Sequence, residues 1–304
     1  SIKKNFGAKL RFAYHAIKGV PRSIQMLRGI RLQEGKMDIQ SIYGIENEAE
    51  RVNALYRVFR EETRLTWSQA ARVEFLTTVR YLEKYLRPGA KLLDVGAGAG
   101  EYSLHFVRQG YSVDAVELAE ANVAAFQKRI EPGMDLRLRR GDARDLSAYA
   151  GDSFDVVLLL GPLYHLERAE DRARAIAEAR RVCKKDGVIA FAFISNDIVP
   201  LTESVNCDPE YFQKGNYDRE TFRLENFPFV FFTLDEMRAM LEESGVEILH
   251  AVASDGPSEL LEKHINGMDQ ACYAQYLRWH FYTCEKPEWL GCSNHLLFLA
   301  RPGK

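Results

Sequence analysis

Apolar positions in the first third of the chain recur at helical spacing. From Glu48 onward, Ala49, Val52, Leu55 and Phe59 fall on one face, and Phe75, Val79, Leu82 and Leu86 mark a second helix that Arg87-Pro88-Gly89 stops. Beyond this punctuation short apolar runs alternate with helical patterns, as expected for a parallel sheet with crossover helices. The runs predict strands at 91–95, 112–117, 136–139, 154–160 and 188–194, with helices at 102–109, 120–130 and 168–183 between them. The last of these helices is read as ending in Lys184-Lys185-Asp186-Gly187, a basic final turn closed by glycine.

After Ile194 the alternation lapses, so 195–232 reads as an insertion, a probable lid. A short helix at 234–244 and a strand at 246–252 follow. Then comes a long amphipathic helix carrying Leu261, Ile265, Met268, Cys272, Tyr276 and Trp279, in which Gly267 permits a break. A final strand is expected at 296–300, which makes 254–292 a helical insertion before it. The pattern divides the chain into an N-terminal extension, 1–44, and one α/β domain, 45–304.

Composition narrows this picture. Hydrophobic residues make up 46% and charged residues 28% of the 304, ordinary globular usage. No apolar run approaches the roughly 20 residues a bilayer crossing needs. Five cysteines without a CxxC pair suggest reduced thiols and a cytoplasmic setting, and seven scattered histidines give no metal spacing. The net charge of −2 is uneven: residues 1–36 hold nine Lys/Arg and one acid, leaving −10 for the rest. An acidic main domain argues against a phosphate-tracking surface. The basic segment, with Phe6, Leu10, Ala13 and Ile17 on one helical face, has three readings: an extension before Met37 as the natural start, a capping helix, or a membrane or nucleic-acid contact.

The sharpest chemical signal is Leu92-Leu93-Asp94-Val95-Gly96-Ala97-Gly98-Ala99-Gly100, an apolar strand running into an acid and then glycine at alternate positions. Glycines let the backbone take positive φ and approach a ligand closely, and the following helix offers free N–H groups. A dinucleotide turn needs G-x-G-x-x-G, but Glu101 stands at its last position, and the P-loop lysine is absent. A second strand ends in Glu117, where a carboxylate can accept bonds from ribose hydroxyls. Asp142, in Arg140-Gly141-Asp142-Ala143 after the third strand, can accept from an adenine amino group. Each acid also has a bland reading as a helix-start or turn residue.

Together these residues resemble the class I S-adenosylmethionine-dependent methyltransferases, whose first motif, D-x-G-x-G-x-G, is matched by Asp94, Gly96, Gly98 and Gly100; the resemblance runs from Lys91 to about Asn196. It implies a Rossmann-like, doubly wound sheet of seven strands with the last antiparallel, and S-adenosylmethionine as methyl donor. By the same resemblance Glu117 holds the ribose, Asp142 meets adenine, Leu118 and Ala143 flank the base, and Gly96, Ala97 and their neighbours lie against the methionine part with Asp94 near its amino group. Leu160 completes the expected donor contacts.

The fourth strand ends in Leu160-Gly161-Pro162-Leu163-Tyr164-His165-Leu166, at the sheet edge where α/β proteins bind ligands. It departs from the N-P-P-[YF] pattern of the family members that methylate amino groups of nucleobases or glutamine, and fits a small-molecule acceptor methylated at O, N, S or C. His165 is the candidate base and Tyr164 a candidate to orient the acceptor; a histidine satisfying backbone groups is the alternative. Tyr56 and Trp67, the insertion aromatics Tyr211, Phe212, Tyr217, Phe222 and Phe227, and Tyr273, Tyr276 and Trp279 are candidate lid residues. Two rivals stay open, a nucleic-acid methyltransferase tethered by residues 1–36 and a non-catalytic S-adenosylmethionine-binding protein.

Overall fold

The computed structural model describes residue 42 and residues 44–58, 61–226 and 229–304. The basic segment, nearly all of the expected 1–44 extension, lies outside the described residues, as do Phe59 and Phe227.

Two helices come first, α1 (Glu48–Val58) and α2 (Gln69–Leu82), the second capped by the Ser68 hydroxyl accepting from Ala71 N–H. The alternating array follows: β1 (Lys91–Val95), α3 (Glu101–Arg108), β2 (Ser112–Glu117), α4 (Glu120–Gln127), β3 (Leu136–Arg140), β4 (Phe154–Leu159), α5 (Ala169–Val182) and β5 (Cys183–Ser195). After β5 come α6 (Val199–Asn206), α7 (Tyr211–Lys214), β6 (Phe231–Phe232), α8 (Leu234–Glu243) and β7 (Glu247–Ala253). The chain finishes with α9 (Glu262–Asn266), α10 (Gln270–Thr283), α11 (Pro287–Leu290) and β8 (His295–Arg301). No helix among the described residues is long and apolar enough to cross a membrane.

The sheet runs β3-β2-β1-β4-β5-β8-β7, with β6 pairing the end of β5. The five strands from β3 to β5 are parallel, while β8 is antiparallel to both β5 and β7. Central β1 is flanked on both sides and covered on both faces, so apart from Lys91 it is buried throughout, and its sequence reads as a nearly continuous apolar run. The order reverses between β1 and β4, which opens a crevice beyond their carboxyl ends.

Two elements differ from the expectation. Residues 183–187, read as a helix end, begin β5 instead. Cys183 pairs with Phe154 and Val188 with Val156, so a bulge absorbs the extra residues. Asp155 accepts from Lys184 Nζ at 2.7 Å and from Lys91 N–H at 2.8 Å, and a Cβ on Gly187 would sit 2.7 Å from Cys183 Sγ. Glycine is therefore needed there for close approach within the bulge rather than to close a helix. Within the interval 195–232, the two-residue β6 extends the sheet by the pairs Ile194–Phe231 and Ser195–Phe232, a length too short to register as periodicity.

The long late helix does break at Gly267, whose N–H donates to the Lys263 and His264 carbonyls, and Asp269 caps the continuation by accepting from Cys272 N–H. This helical pair clasps α2: Thr77 bonds to His280 at 2.9 Å, Tyr81 donates to Glu285 at 2.8 Å, and Ala70 N–H donates to Asn266 at 2.9 Å. One apolar core joins α1 and α2 through Leu55 and Val79 to the sheet and on to Tyr211 and Leu290. All five cysteines are free thiols.

Candidate active site

A cavity opens beyond the carboxyl ends of β1, β2 and β4, where open α/β sheets bind ligands. Its floor is the glycine turn. Gly96, Gly98 and Gly100 have φ of +75°, +56° and +86°, and Gly96 and Ala97 N–H both donate to Val116 O, tying the turn to β2. The three glycines do different work. A Cβ on Gly96 would lie 2.7 Å from the Pro162 ring, and one on Gly98 would press on Glu61 at 3.1 Å, so both leave cavity wall free of side chain. Gly100 caps α3, and its absent Cβ makes room for the Phe126 ring, 2.3 Å from where the Cβ would stand. Asp94, Gly96, Ala97, Gly98, Glu117, Leu118, Asp142, Ala143, Leu160, Tyr164 and His165 all line the cavity; Gly100 does not.

Glu117 ends β2 with its carboxylate turned to the turn. Oε2 accepts from Gly98 N–H and Oε1 from Ala119 N–H, both at 2.7 Å. Burial pushes its carboxyl up to about 7, although these bonds and Asn122 favour the charged form. Oε2 retains a lone pair for a hydroxyl donor, and Oε1 has only the long 3.4 Å bond from Asn122 Nδ2 to exchange for one. Asp94 is buried as well, accepts from the Ser103 hydroxyl at 2.7 Å, and is raised to about 6 by burial. Asp142 differs: burial alone would raise it, but Arg144 outweighs burial and holds it below the usual aspartate value. That guanidinium forks onto Asp142 at 3.0 and 2.6 Å, and it also lies 3.2 Å from Asp171 and 3.7 Å from Glu48.

Helix α1 roofs the cavity. Glu48, Val52 and Tyr56, spaced four residues apart, share the inner face. The helix is fixed by Asn53 accepting from Glu120 N–H at 2.9 Å, which also caps α4, and by the Arg51–Glu167 ion pair at 2.6 Å. From it the Tyr56 hydroxyl shares a 2.9 Å hydrogen bond with His165 Nε2. Burial lowers His165 to about 3, so the imidazole is neutral at physiological pH, and its buried Nδ1 has no protein partner. Phe229, from the interval 195–232, packs edge-on against both Tyr164 and His165, with centroids 5.7 and 5.1 Å away. Val230 N–H donates to Tyr164 O at 2.8 Å. Of the aromatics the sequence singled out around this core, Tyr56 alone among the described residues lines the cavity. Trp67, Phe212, Phe222 and Trp279 are exposed. Tyr211 and Tyr217 stack on each other, Tyr273 donates to Gln69 O, and Tyr276 bonds to Ser258.

Arg64 carries no signature in the sequence. It lines the cavity with Nε 2.8 Å from Glu61, while its two terminal nitrogens fork onto Glu74 at 2.7 and 3.2 Å. Behind Glu74 stands His295, at 3.7 Å from Glu74 and 2.8 Å from Asp255. Burial alone would lower this histidine, but Glu74, Asp255 and Glu259 outweigh burial and raise it to about 9. Ser293 donates to Asp255 and Asn294 to Glu259. The chain of charges ties α2 to the start of β8 through the wall of the site.

Residues 93–191 match the family model described as a methyltransferase domain. The chain is 28% identical over 181 residues to the glycine/sarcosine N-methyltransferase of Aphanothece halophytica, covering 52% of this chain and 67% of that one. It is 31% identical over 169 residues to the malonyl-[acyl-carrier protein] O-methyltransferase of Geobacter sulfurreducens, covering 55% and 59%. The match spans 67%, 45% and 48% of the length of the first curated relatives, and from 46% to 85% across five others. The PH0226 protein of Pyrococcus horikoshii shares the fold at 19% identity, with a TM-score of 0.52 over 82% of this chain and 98% of that one. With the D-x-G-x-G-x-G turn at the mouth of β1 and this match over residues 93–191, the α/β array is a methyltransferase domain that carries the donor turn of the class I S-adenosylmethionine-dependent enzymes.

Proposed function

We propose that the protein transfers the methyl group of S-adenosylmethionine to a small-molecule acceptor held beneath α1. The observation that carries the reading is Glu117: a buried carboxylate at the glycine turn, fixed by the Gly98 and Ala119 N–H groups, with a free lone pair on Oε2 and only the long Asn122 bond on Oε1 for the ribose hydroxyls to replace. Asp94 then stands toward the donor's amino group. Leu118, Ala143 and Leu160 supply apolar wall, and Asp142, already forked by Arg144, keeps acceptor capacity for an adenine amino group. The bound donor supplies an electrophilic methyl on sulfur. The protein's own work is to align the acceptor and exclude water.

Tyr164 and His165 take the acceptor side. With its imidazole lowered to about 3, His165 suits orientation through the free Nδ1 more than storage of a proton. A small acceptor is supported by the side chains that α1 lays over the cavity and by a relative whose name specifies glycine and sarcosine. The acidic balance beyond residue 36 weighs against nucleic acid. Five free thiols fit a cytoplasmic setting. Titration calorimetry of the full chain with S-adenosylmethionine and, separately, NADH tests the reading. Saturable binding of the first alone is expected; binding of NADH alone would overturn it.

A further inference from the structure

The charges that line the cavity bear on the acceptor. Six carboxyl groups reach the lining, against two guanidinium groups, from Arg64 and Arg144: Asp94, Glu117 and Asp142 on the side read as the donor's, and Glu48, Glu61 and Glu101 on the other, where Glu101 is paired with Arg129 at 2.6 Å. Neither guanidinium is available to an anion. Arg64 is held by both Glu61 and Glu74, and Arg144 by Asp142 with Asp171 and Glu48 close by. Each cation is thus outnumbered by the carboxylates that hold it. The next cation behind Arg64, His295, stands among Glu74, Asp255 and Glu259, so it adds no uncompensated positive charge to the wall. His165 is neutral, and the rings of Tyr56, Tyr102 and Tyr164 line the same space. Low-dielectric walls of one sign concentrate ligands of the other sign and repel those of the same sign. Aromatic surfaces add attraction for an ammonium group.

We propose that the methyl acceptor is an amine, recognised as a cation on entry and methylated at nitrogen. The inference rests on the donor reading above. An arriving ammonium gives a proton to a lining carboxylate, for which Glu61 is suited because burial raises its carboxyl above that of an exposed glutamate. The freed nitrogen lone pair forms the N–CH3 bond as the S–CH3 bond breaks. The bonding pair stays on sulfur, giving S-adenosylhomocysteine; the N-methylammonium product leaves with its charge, and Glu61 releases the proton it took to water. His165 Nδ1 offers a hydrogen-bonding contact to the nitrogen's substituents. Donor and acceptor account for every atom and electron moved.

The test uses the full chain saturated with S-adenosylhomocysteine and three probes of matched size: 2-phenylethylamine, 2-phenylethanol and phenylacetate. Competition calorimetry is expected to rank the amine at least tenfold tighter than phenylacetate, with the alcohol between, and the amine's advantage should shrink as salt is raised. Glu61→Gln should narrow the amine-to-carboxylate ratio. Phenylacetate binding as tightly as the amine, or no probe binding a protein that does bind S-adenosylhomocysteine, would overturn the proposal. Failure to bind S-adenosylhomocysteine would instead fall on the donor reading.

Discussion

Because burial raises the Glu117 carboxyl to about 7, donor affinity should depend on pH across the neutral range. A ribose that donates two hydroxyls needs the ionised carboxylate, since the protonated form surrenders one oxygen as a donor. At pH 8 roughly nine tenths of the free protein has the group ionised, and at pH 6 roughly one tenth. Apparent affinity scales with the competent fraction, so the dissociation constant for S-adenosylhomocysteine should rise about tenfold from pH 8 to pH 6. The direction follows from the sign of the shift: a group raised in the free protein and ionised in the complex releases a proton on binding, so binding tightens as pH rises to about 7 and then levels. Glu117→Gln keeps one acceptor oxygen and cannot titrate. It should bind more weakly at pH 8, by roughly 10- to 150-fold if a charge-assisted bond worth about 1.5–3 kcal/mol is lost, and should lose most of the slope. The residual slope reports Asp94, raised to about 6. Calorimetry in two buffers of different ionisation heat counts the released proton directly. An identical slope in wild type and Glu117→Gln, in variants shown folded by circular dichroism, would refute the ribose assignment.

Two further outcomes test the frame around the site. His295 is raised from 6.5 to about 9, so its contribution to stability, on the order of 3 kcal/mol, is full below about pH 6.5 and is lost as pH rises through about 9. Urea unfolding of wild type against His295→Gln should show the gap closing between those values, and a constant gap would remove the histidine's charge from the account. Gly100→Ala should cost more than Gly110→Ala. Both glycines have φ near +90°, worth about 1–2 kcal/mol to an L residue, but a Cβ at Gly100 meets the Phe126 ring whereas one at Gly110 meets nothing within 4 Å. The excess is expected at about 1–3 kcal/mol, and equal melting shifts would contradict the packing described.

The parts of this molecule that the sequence reveals are those whose cause is local. Asp94 and the alternating glycines lie in one strand-turn-helix, and Glu117 ends the neighbouring strand, so chain direction and burial alone deliver them to the crevice. Where a local rule competes with pairing, pairing prevails: Lys184-Lys185-Asp186-Gly187 has the composition of a helix end, yet Asp155 and the β4 edge draw it into a bulged strand. The Arg64 network has no local signature. Glu74 lies ten residues from Arg64, but His295 reaches them only because β8 returns antiparallel beside β5, and Asp255 only because β7 pairs with β8. Phe229 meets His165 from the stretch just before the two-residue β6, too short to register as periodicity. Most of the cavity wall we assign to the donor, Leu160 aside, is thus written into a contiguous stretch of about fifty residues, from Asp94 to Ala143. The half we assign to the acceptor is assembled from α1, the turn after β4 and the wall around Arg64. Each of those elements is set by long-range packing, so its charge balance, and with it the choice of acceptor, is readable only once the chain has folded.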